Sequence, residues 1–330
     1  MGYPKCLEFD EICLENMDIN LIEEKDDIFI VSASFEERAS ALQYYLDDDY
    51  KCKLGIIYVN EDNVAYEGSL NTIKKFLEKK CNGNLKVQMS SHRNIEKKNQ
   101  AMLEIVNYCK EYINEGINIT IDVTCFSRID LIVLLDYITS YIKNSKIKII
   151  YSSPVRHGEW LSRGYSEISN IIGFPGVFDA SKSTALVVLS GFEVERPLNF
   201  IEEYEPDKIF LGVSNPAVLD EFGKRNYLVQ RGLLDLSNVC EFEFSARNIN
   251  ECLNNLENIV TKEINNFNIV LAPLCTKMTT VASFIFARRH PEVQLAYCYP
   301  QEYNVTDYSS GIKQIFVDSI NNYITFDENG

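Results

Sequence analysis

The chain has 330 residues, 46% of them hydrophobic and 24% charged. This is a globular composition with length for two domains of about 150 residues each, and it excludes a disordered or fibrous chain. The net charge is −16, spread over both halves: residues 1–175 hold 20 basic against 27 acidic side chains, and the remainder 12 against 21. Neither half offers the broad positive face that duplex nucleic acid requires, so only a local positive pocket is open to it.

Short β-branched runs alternate with segments of helical period. Strands are expected at 27–34, 54–59, 85–90, 118–123 and 146–152, with helices at 35–46, 69–80, 95–113 and 128–142 between them. Continuous apolar strands separated by helices predict parallel strands covered on both faces, joined by right-handed crossovers. After a glycine- and proline-containing joint at 158–176 the pattern restarts. Further strands are expected at 184–189, 208–213, 240–245, 268–272 and 293–298. The fold class is therefore α/β: two tandem Rossmann-like parallel-sheet units, residues 1–176 and 177–330, arranged as a pseudo-twofold internal dimer.

The N-terminus, Met1 to Cys6, runs into acidic sequence. It fits no signal peptide and, without Ser or Thr at position 6, no myristoylation pattern. The longest apolar region, 269–287, is broken by Pro273 and Lys277, so no membrane span is expected. Ten cysteines without a CxxC pair, Cys125, Cys240, Cys252, Cys275 and Cys298 among them, read as buried free thiols of a cytoplasmic protein. Three histidines and no HExxH argue against a zinc site, and Asp122 at a strand end has no second carboxylate in the other half. No metal or cofactor is expected. GxGxxG, GxxxxGK[ST] and GxSxG are absent, against dinucleotide oxidoreductases, P-loop ATPases and α/β-hydrolases.

The two halves repeat one another in polar residues just after each strand. Ser34-Phe35-Glu36-Glu37-Arg38 matches Gly191-Phe192-Glu193-Val194-Glu195-Arg196. Ser91-His92-Arg93-Asn94 matches Ser245-Ala246-Arg247-Asn248, and Thr124-Cys125-Phe126-Ser127-Arg128 matches Leu274-Cys275-Thr276-Lys277. Tyr151-Ser152-Ser153-Pro154 matches Tyr297-Cys298-Tyr299-Pro300, and Leu161-Ser162-Arg163-Gly164 matches Tyr308-Ser309-Ser310-Gly311. The separations drift smoothly: 158 for Arg38 to Arg196, 154 for Arg93 to Arg247, 150 for the cysteines, 146 for the prolines and 147 for the glycines.

Ligands of open α/β sheets bind outside the carboxyl ends of the strands, where these repeated residues fall. Helix N-termini with Arg and Lys suit phosphate. Two units facing one another would enclose a cleft fitted to a roughly symmetric, multiply phosphorylated ligand. The candidate ligand-binding residues are Ser34, Arg38, Arg93, Thr124, Ser127, Arg128, Arg163, Arg196, Arg247, Thr276, Lys277 and Ser309.

Several of these have a second role open to them. Arg38 and Arg196 contact phosphate or pair with nearby glutamates. Glu36 and Glu193 are candidate general acids or bases. The hydroxyls of the two strand-four turns cap helices, but Arg128 and Lys277 beside them oppose the macrodipole, a conflict that a bound anion would remove. Cys125 and Cys275 are nucleophiles or buried thiols, and burial is favoured because no histidine is near in sequence. The loop holding His157 and Trp160, the sole tryptophan, covers a ligand or packs the joint.

The Thr276-Lys277 turn after strand four resembles that of CRISPR-associated Rossmann-fold (CARF) ligand-sensing domains, in which a Gly-Gly-Thr-Lys turn is frequent; here the glycines are missing. Two such units in one chain are similar to SAVED domains of antiphage signalling systems. The resemblance implies a sensor of cyclic oligonucleotides that signals to a separate effector protein, or a ring nuclease that cleaves them. From the residues and the resemblance together, the expected function is binding of a nucleotide-derived anion, with no membrane and no extended nucleic acid as partner. The alternatives are a phosphodiesterase or nucleoside glycosidase using the same cleft, and a ligand-free scaffold subunit.

Overall fold

A computed structural model describes residues 25–63, 65–112 and 116–323. The N-terminal reading, Met1 to Cys6, lies outside the described residues. In chain order, β1 (Asp26–Ala33) is followed by a 3-10 turn (Glu37–Ser40) and a single helical turn α1 (Leu42–Tyr45). Then come β2 (Cys52–Asn60), α2 (Glu67–Lys80), β3 (Leu85–Ser90), α3 (Ile95–Lys110), β4 (Ile117–Asp122), α4 (Arg128–Tyr141) and β5 (Ser145–Ser153). Three further strands close the first half: β6 (Arg156–His157), β7 (Ser162–Arg163) and β8 (Glu167–Pro175). The second half runs β9 (Ser183–Leu189), α5 (Glu195–Tyr204), β10 (Lys208–Ser214), α6 (Asp220–Leu234), β11 (Val239–Phe244), α7 (Ile249–Val260), β12 (Phe267–Pro273), α8 (Lys277–Arg289) and β13 (Gln294–Tyr299). It ends with β14 (Glu302–Tyr303), β15 (Ser309–Ser310) and β16 (Gln314–Ser319).

These strands build two six-stranded sheets of the same order, β3-β2-β1-β4-β5-β16 and β11-β10-β9-β12-β13-β8. Five strands of each are parallel, as the unbroken apolar runs imply; Ile28 to Val31, for example, are at most 1% exposed. The sixth strand of each sheet is antiparallel and comes from the other half: β16 pairs with β5, and β8 with β13. The chain thus passes from the first sheet to the second before β8 and returns to the first before β16. Both exchanged strands lie at a sheet edge and keep most residues partly exposed, with Ile315 the buried residue of β16 and Ile171 and Phe174 those of β8. They carry no long apolar run to announce them.

The expected helix at 35–46 forms only as the 3-10 turn and α1. Residues two apart do not share a face of an α-helix. Glu36 stands before the 3-10 turn in extended backbone, and its carboxylate meets the Arg38 guanidinium. Helices α4 and α8 are buried over most of their surface and pack against one another, so a single buried cluster runs from one sheet to the other. Among the described residues no helix is long and apolar enough to cross a membrane. The eight cysteines there are free; Cys240 is exposed on the edge strand β11 rather than buried.

Candidate functional site

Each half closes a charged clasp with a serine supplied by the other. In the first, Arg38 Nε donates to Glu36 Oε2 and to Ser309 Oγ, both at 3.1 Å, and Nη1 donates to the Ser152 carbonyl at 2.7 Å. Ser309 Oγ donates to Glu36 Oε2 at 2.7 Å. In the second, Arg196 Nε lies 3.2 Å from Glu193 Oε2 and Nη2 donates to Ser162 Oγ at 3.0 Å. The Ser162 amide donates to Glu193 Oε1 at 2.6 Å, and so does its hydroxyl. A second contact is reciprocal too. The Gly311 amide donates to Glu37 and the Gly164 amide to Glu195, both glycines at positive φ (+66° and +60°), where a side chain would be strained.

Between the clasps, the turns after β4 and β12 meet. Arg128 opens α4 and donates Nη2 to the carbonyls of Leu274, at 2.9 Å, and Cys275. Lys277 opens α8 and donates Nζ to the Thr124 carbonyl at 3.3 Å. The two cations that oppose their own helix dipoles therefore face carbonyls of the opposite turn. Ser127 and Thr276 cap the helices, accepting from the Asp130 and Thr279 amides.

A cavity of about 70 Å³, measured as volume open to the centre of a water molecule, lies at this crossing. Arg38, Arg128, Lys277 and Glu193 border it, together with Tyr151, His157, Phe192 and Tyr308. Burial raises the Glu36 carboxyl, but the Arg38 and Lys277 cations outweigh it and hold the group below its ordinary range. Burial and the Arg128 cation push Lys277 down to about 8, against the pull of Glu36. Burial, followed by Arg38, pushes His157 down to about 3, so its ring is neutral among Phe192, Phe222 and Tyr308.

The other candidates divide. Glu36 and Glu193 are held in the clasps, so the pairing role of Arg38 and Arg196 is the one realised. Ser34 exchanges hydrogen bonds with Ser69, and the Thr124 hydroxyl accepts from the Ser152 amide. Arg93, Arg163 and Arg247 are exposed and do not reach the central cavity: Arg93 borders a separate hollow, Arg163 lies 4.1 Å over Trp160, and Arg247 borders a groove beside α6. Arg93 and Arg247 lie on strand-to-helix turns and Arg163 in β7, all directed outward, whereas Arg128 and Lys277 reach the carbonyls of the opposite turn. Burial raises the Cys125 thiol far above its usual range and Cys275 to about 11, so neither is a thiolate nucleophile. Asp122 accepts from Tyr45 Oη at 2.6 Å and from the Thr124 amide at 2.9 Å, and no group of three metal-ligating side chains forms among the described residues.

Sequence reasoning missed Ser162, although the repeat aligns it with Ser309. It also missed Tyr151 and Tyr308 at the cavity wall. A buried network is likewise unannounced: Lys98 Nζ lies 3.0 Å from Asp130 Oδ1, and Asn60 Nδ2 donates to Asp130 Oδ2 at 3.0 Å.

No family model matches the chain, and no curated protein matches it. Among solved structures, the cytoplasmic domain of a prokaryotic cation chloride cotransporter is similar over 86% of this chain and 99% of its own, at 6% identity and a TM-score of 0.28. A likeness of that size carries no argument about the site.

Proposed function

We propose that the chain is a binding module for a nucleotide-derived anion, held in the central cavity between the two halves, and that it passes the bound state to a separate protein partner. The observation that carries this reading is the crossing of Arg128 and Lys277. In a chain of net charge −16, Arg38, Arg128 and Lys277 border one cavity together with Glu193; Arg38 is paired with Glu36, while Arg128 and Lys277, each at a helix N-terminus, face carbonyls of the opposite turn rather than a carboxylate. Helix N-termini and guanidinium groups are ready-made phosphate ligands, and an anion would compete for the donors now given to carbonyls. The reciprocal strands and clasps favour the pseudo-twofold arrangement. They also favour signalling, because a ligand that displaces Arg128 or Lys277 from the opposite turn alters contacts between the halves. The resemblance to CARF and SAVED sensors supports a cyclic oligonucleotide as the ligand class.

A ligand-free scaffold is the second reading. It is favoured by the small cavity volume and by the carbonyl partners that Arg128 and Lys277 already have. The engagement of Glu36 and Glu193 in clasps disfavours the hydrolytic alternative. The test is a mass-spectrometric survey of small molecules released from the purified chain, repeated with Arg128→Gln/Lys277→Gln. These amides keep a donor while removing the charge. A phosphorylated ligand lost in the variant supports the sensor, and absence of any ligand from a chain that also fails to bind added cyclic oligonucleotides supports the scaffold.

A further inference from the structure

After β2 and β3 the repeat that relates the halves is broken chemically. The loops after β2 and β3 align with those after β10 and β11 without gaps, through Asn60/Ser214, Ser91/Ser245 and Asn94/Asn248, each 154 apart. Asn94 and Asn248 cap α3 and α7 identically, accepting from the third amide onward at 2.9 Å. Within this common frame Asn63 stands against Ala217 and His92 against Ala246. Ala217 and Ala246 border the central cavity, beside Val218 and Phe222. Asn63 and His92 border a different hollow, of about 310 Å³ by the same measure, with Arg93 at its edge.

The floor of this hollow is built at a cost. Asn60 is 3% exposed and is fixed by the buried Lys98–Asp130 pair, whose members are 1% and 0% exposed. Burying an ion pair is expensive, and an apolar replacement of similar volume is frequently neutral or better. Asp62 accepts from Ser91 Oγ at 2.7 Å and from the Arg93 amide at 3.2 Å, and its Oδ2 lies 3.2 Å from His92 Nδ1. One face of the His92 ring stacks on Tyr299, with centroids 5.7 Å apart and planes 25° apart. The pocket therefore has aromatic walls and a rigid polar floor. The side chains of Asn63, Gln301 and Arg93 have no protein partner among the described residues.

We propose that this hollow is a nucleobase pocket for a nucleoside monophosphate, with the base against the His92–Tyr299 wall, its polar edge read by the amides of Asn63 and Gln301, and the phosphate at Arg93. Planar rings stack on any base, and a side-chain amide supplies the paired donor and acceptor that a base edge presents. The inference rests on the reading that the ligand is nucleotide-derived, but it places the base away from Arg128 and Lys277. It also makes the ligand's two ends unlike, in contrast to the symmetric ligand expected from the repeat.

The test uses the full chain and calorimetric titration with adenosine, guanosine, cytidine and uridine monophosphates and the free nucleosides. Circular dichroism supplies the fold control for each variant. At least one monophosphate is expected to bind, with affinity falling roughly tenfold in Asn63→Ala and again in His92→Ala. Arg93→Ala is expected to weaken the monophosphate and leave its nucleoside unaffected. Binding that ignores Asn63→Ala and His92→Ala but is lost in Arg128→Gln/Lys277→Gln overturns this pocket and leaves the central-cavity reading standing. Binding with the opposite dependence supports this pocket alone. No binding by any of the four overturns the inference, while the central reading keeps its own test with cyclic oligonucleotides.

Discussion

Ser309 donates its hydroxyl to Glu36 across 273 residues of sequence, at 2.7 Å, and Ser162 stands in the same relation to Glu193. Each charged clasp is thus completed by the other half, and neither half holds its own buried arginine alone. Arg38 and Arg196 are 3% and 4% exposed. Hydrogen bonds to charged groups contribute about 1.5–3 kcal/mol each. Ser309→Ala and Ser162→Ala are each expected to lower stability by about 2 kcal/mol in denaturant unfolding. Equal stability of either variant and the parent would show that the clasps are incidental.

The exchanged strands extend this coupling to the sheets. Shortening the chain to end at residue 311 removes β16, which pairs with β5 through Gln314 to Ser319. Hydrogen exchange is expected to rise in β5 and β4, far away in sequence, more than in β12 or β13, because the lost edge belongs to the first sheet. A rise confined to the second sheet would contradict the topology.

Anion affinity should depend on the Lys277 proton. In the folded chain this group titrates near 8, below its ordinary 10.5, because burial and Arg128 disfavour the cation. A lowered lysine pKa means that the folded state binds fewer protons between those values, so this residue's contribution to stability rises with pH there. Affinity runs the other way, falling as pH passes through about 8, and binding at that pH takes up a proton. Titrations in buffers of different ionisation enthalpy measure the uptake, and Lys277→Gln should abolish it.

Acid stability should report on His157. Its pKa is lowered from 6.5 to about 3 by burial and by Arg38, so between those values the unfolded chain binds the extra proton and stability falls as pH drops. His157→Phe fits the ring cluster of Phe192, Phe222 and Tyr308 and should flatten the decline in melting temperature between pH 7 and pH 5. An unchanged slope would assign the acid sensitivity to other groups.

The parallel strands were legible because strands covered on both faces must be apolar throughout, as in Ile28 to Val31 or Ala185 to Leu189. At Arg128 and Lys277 the conflict was legible, since a cation at a helix N-terminus opposes the macrodipole, and a bound anion was the relief expected from sequence. What supplies the acceptor was not legible, since the Leu274 and Thr124 carbonyls belong to turns about 150 residues away. Strands β8 and β16 stayed hidden because half-exposed edges obey no periodic pattern. That Arg93, Arg163 and Arg247 lie outside the cavity was not legible, since sequence places Arg93 and Arg247 after a strand without the direction of the loop and does not reveal the short strand β7 that holds Arg163.

The central claim is that Arg128 and Lys277 hold an anion. Its most direct test is titration of the chain with cyclic oligoadenylates and cyclic dinucleotides, in parallel with Arg128→Gln/Lys277→Gln, with circular dichroism confirming that the variant is folded. Saturable binding to the parent chain, weakened at least a hundredfold in the folded variant, is the result expected, at about 1.4 kcal/mol for each factor of ten. Equal affinity of both chains for the same ligand, or no affinity in either, would contradict it.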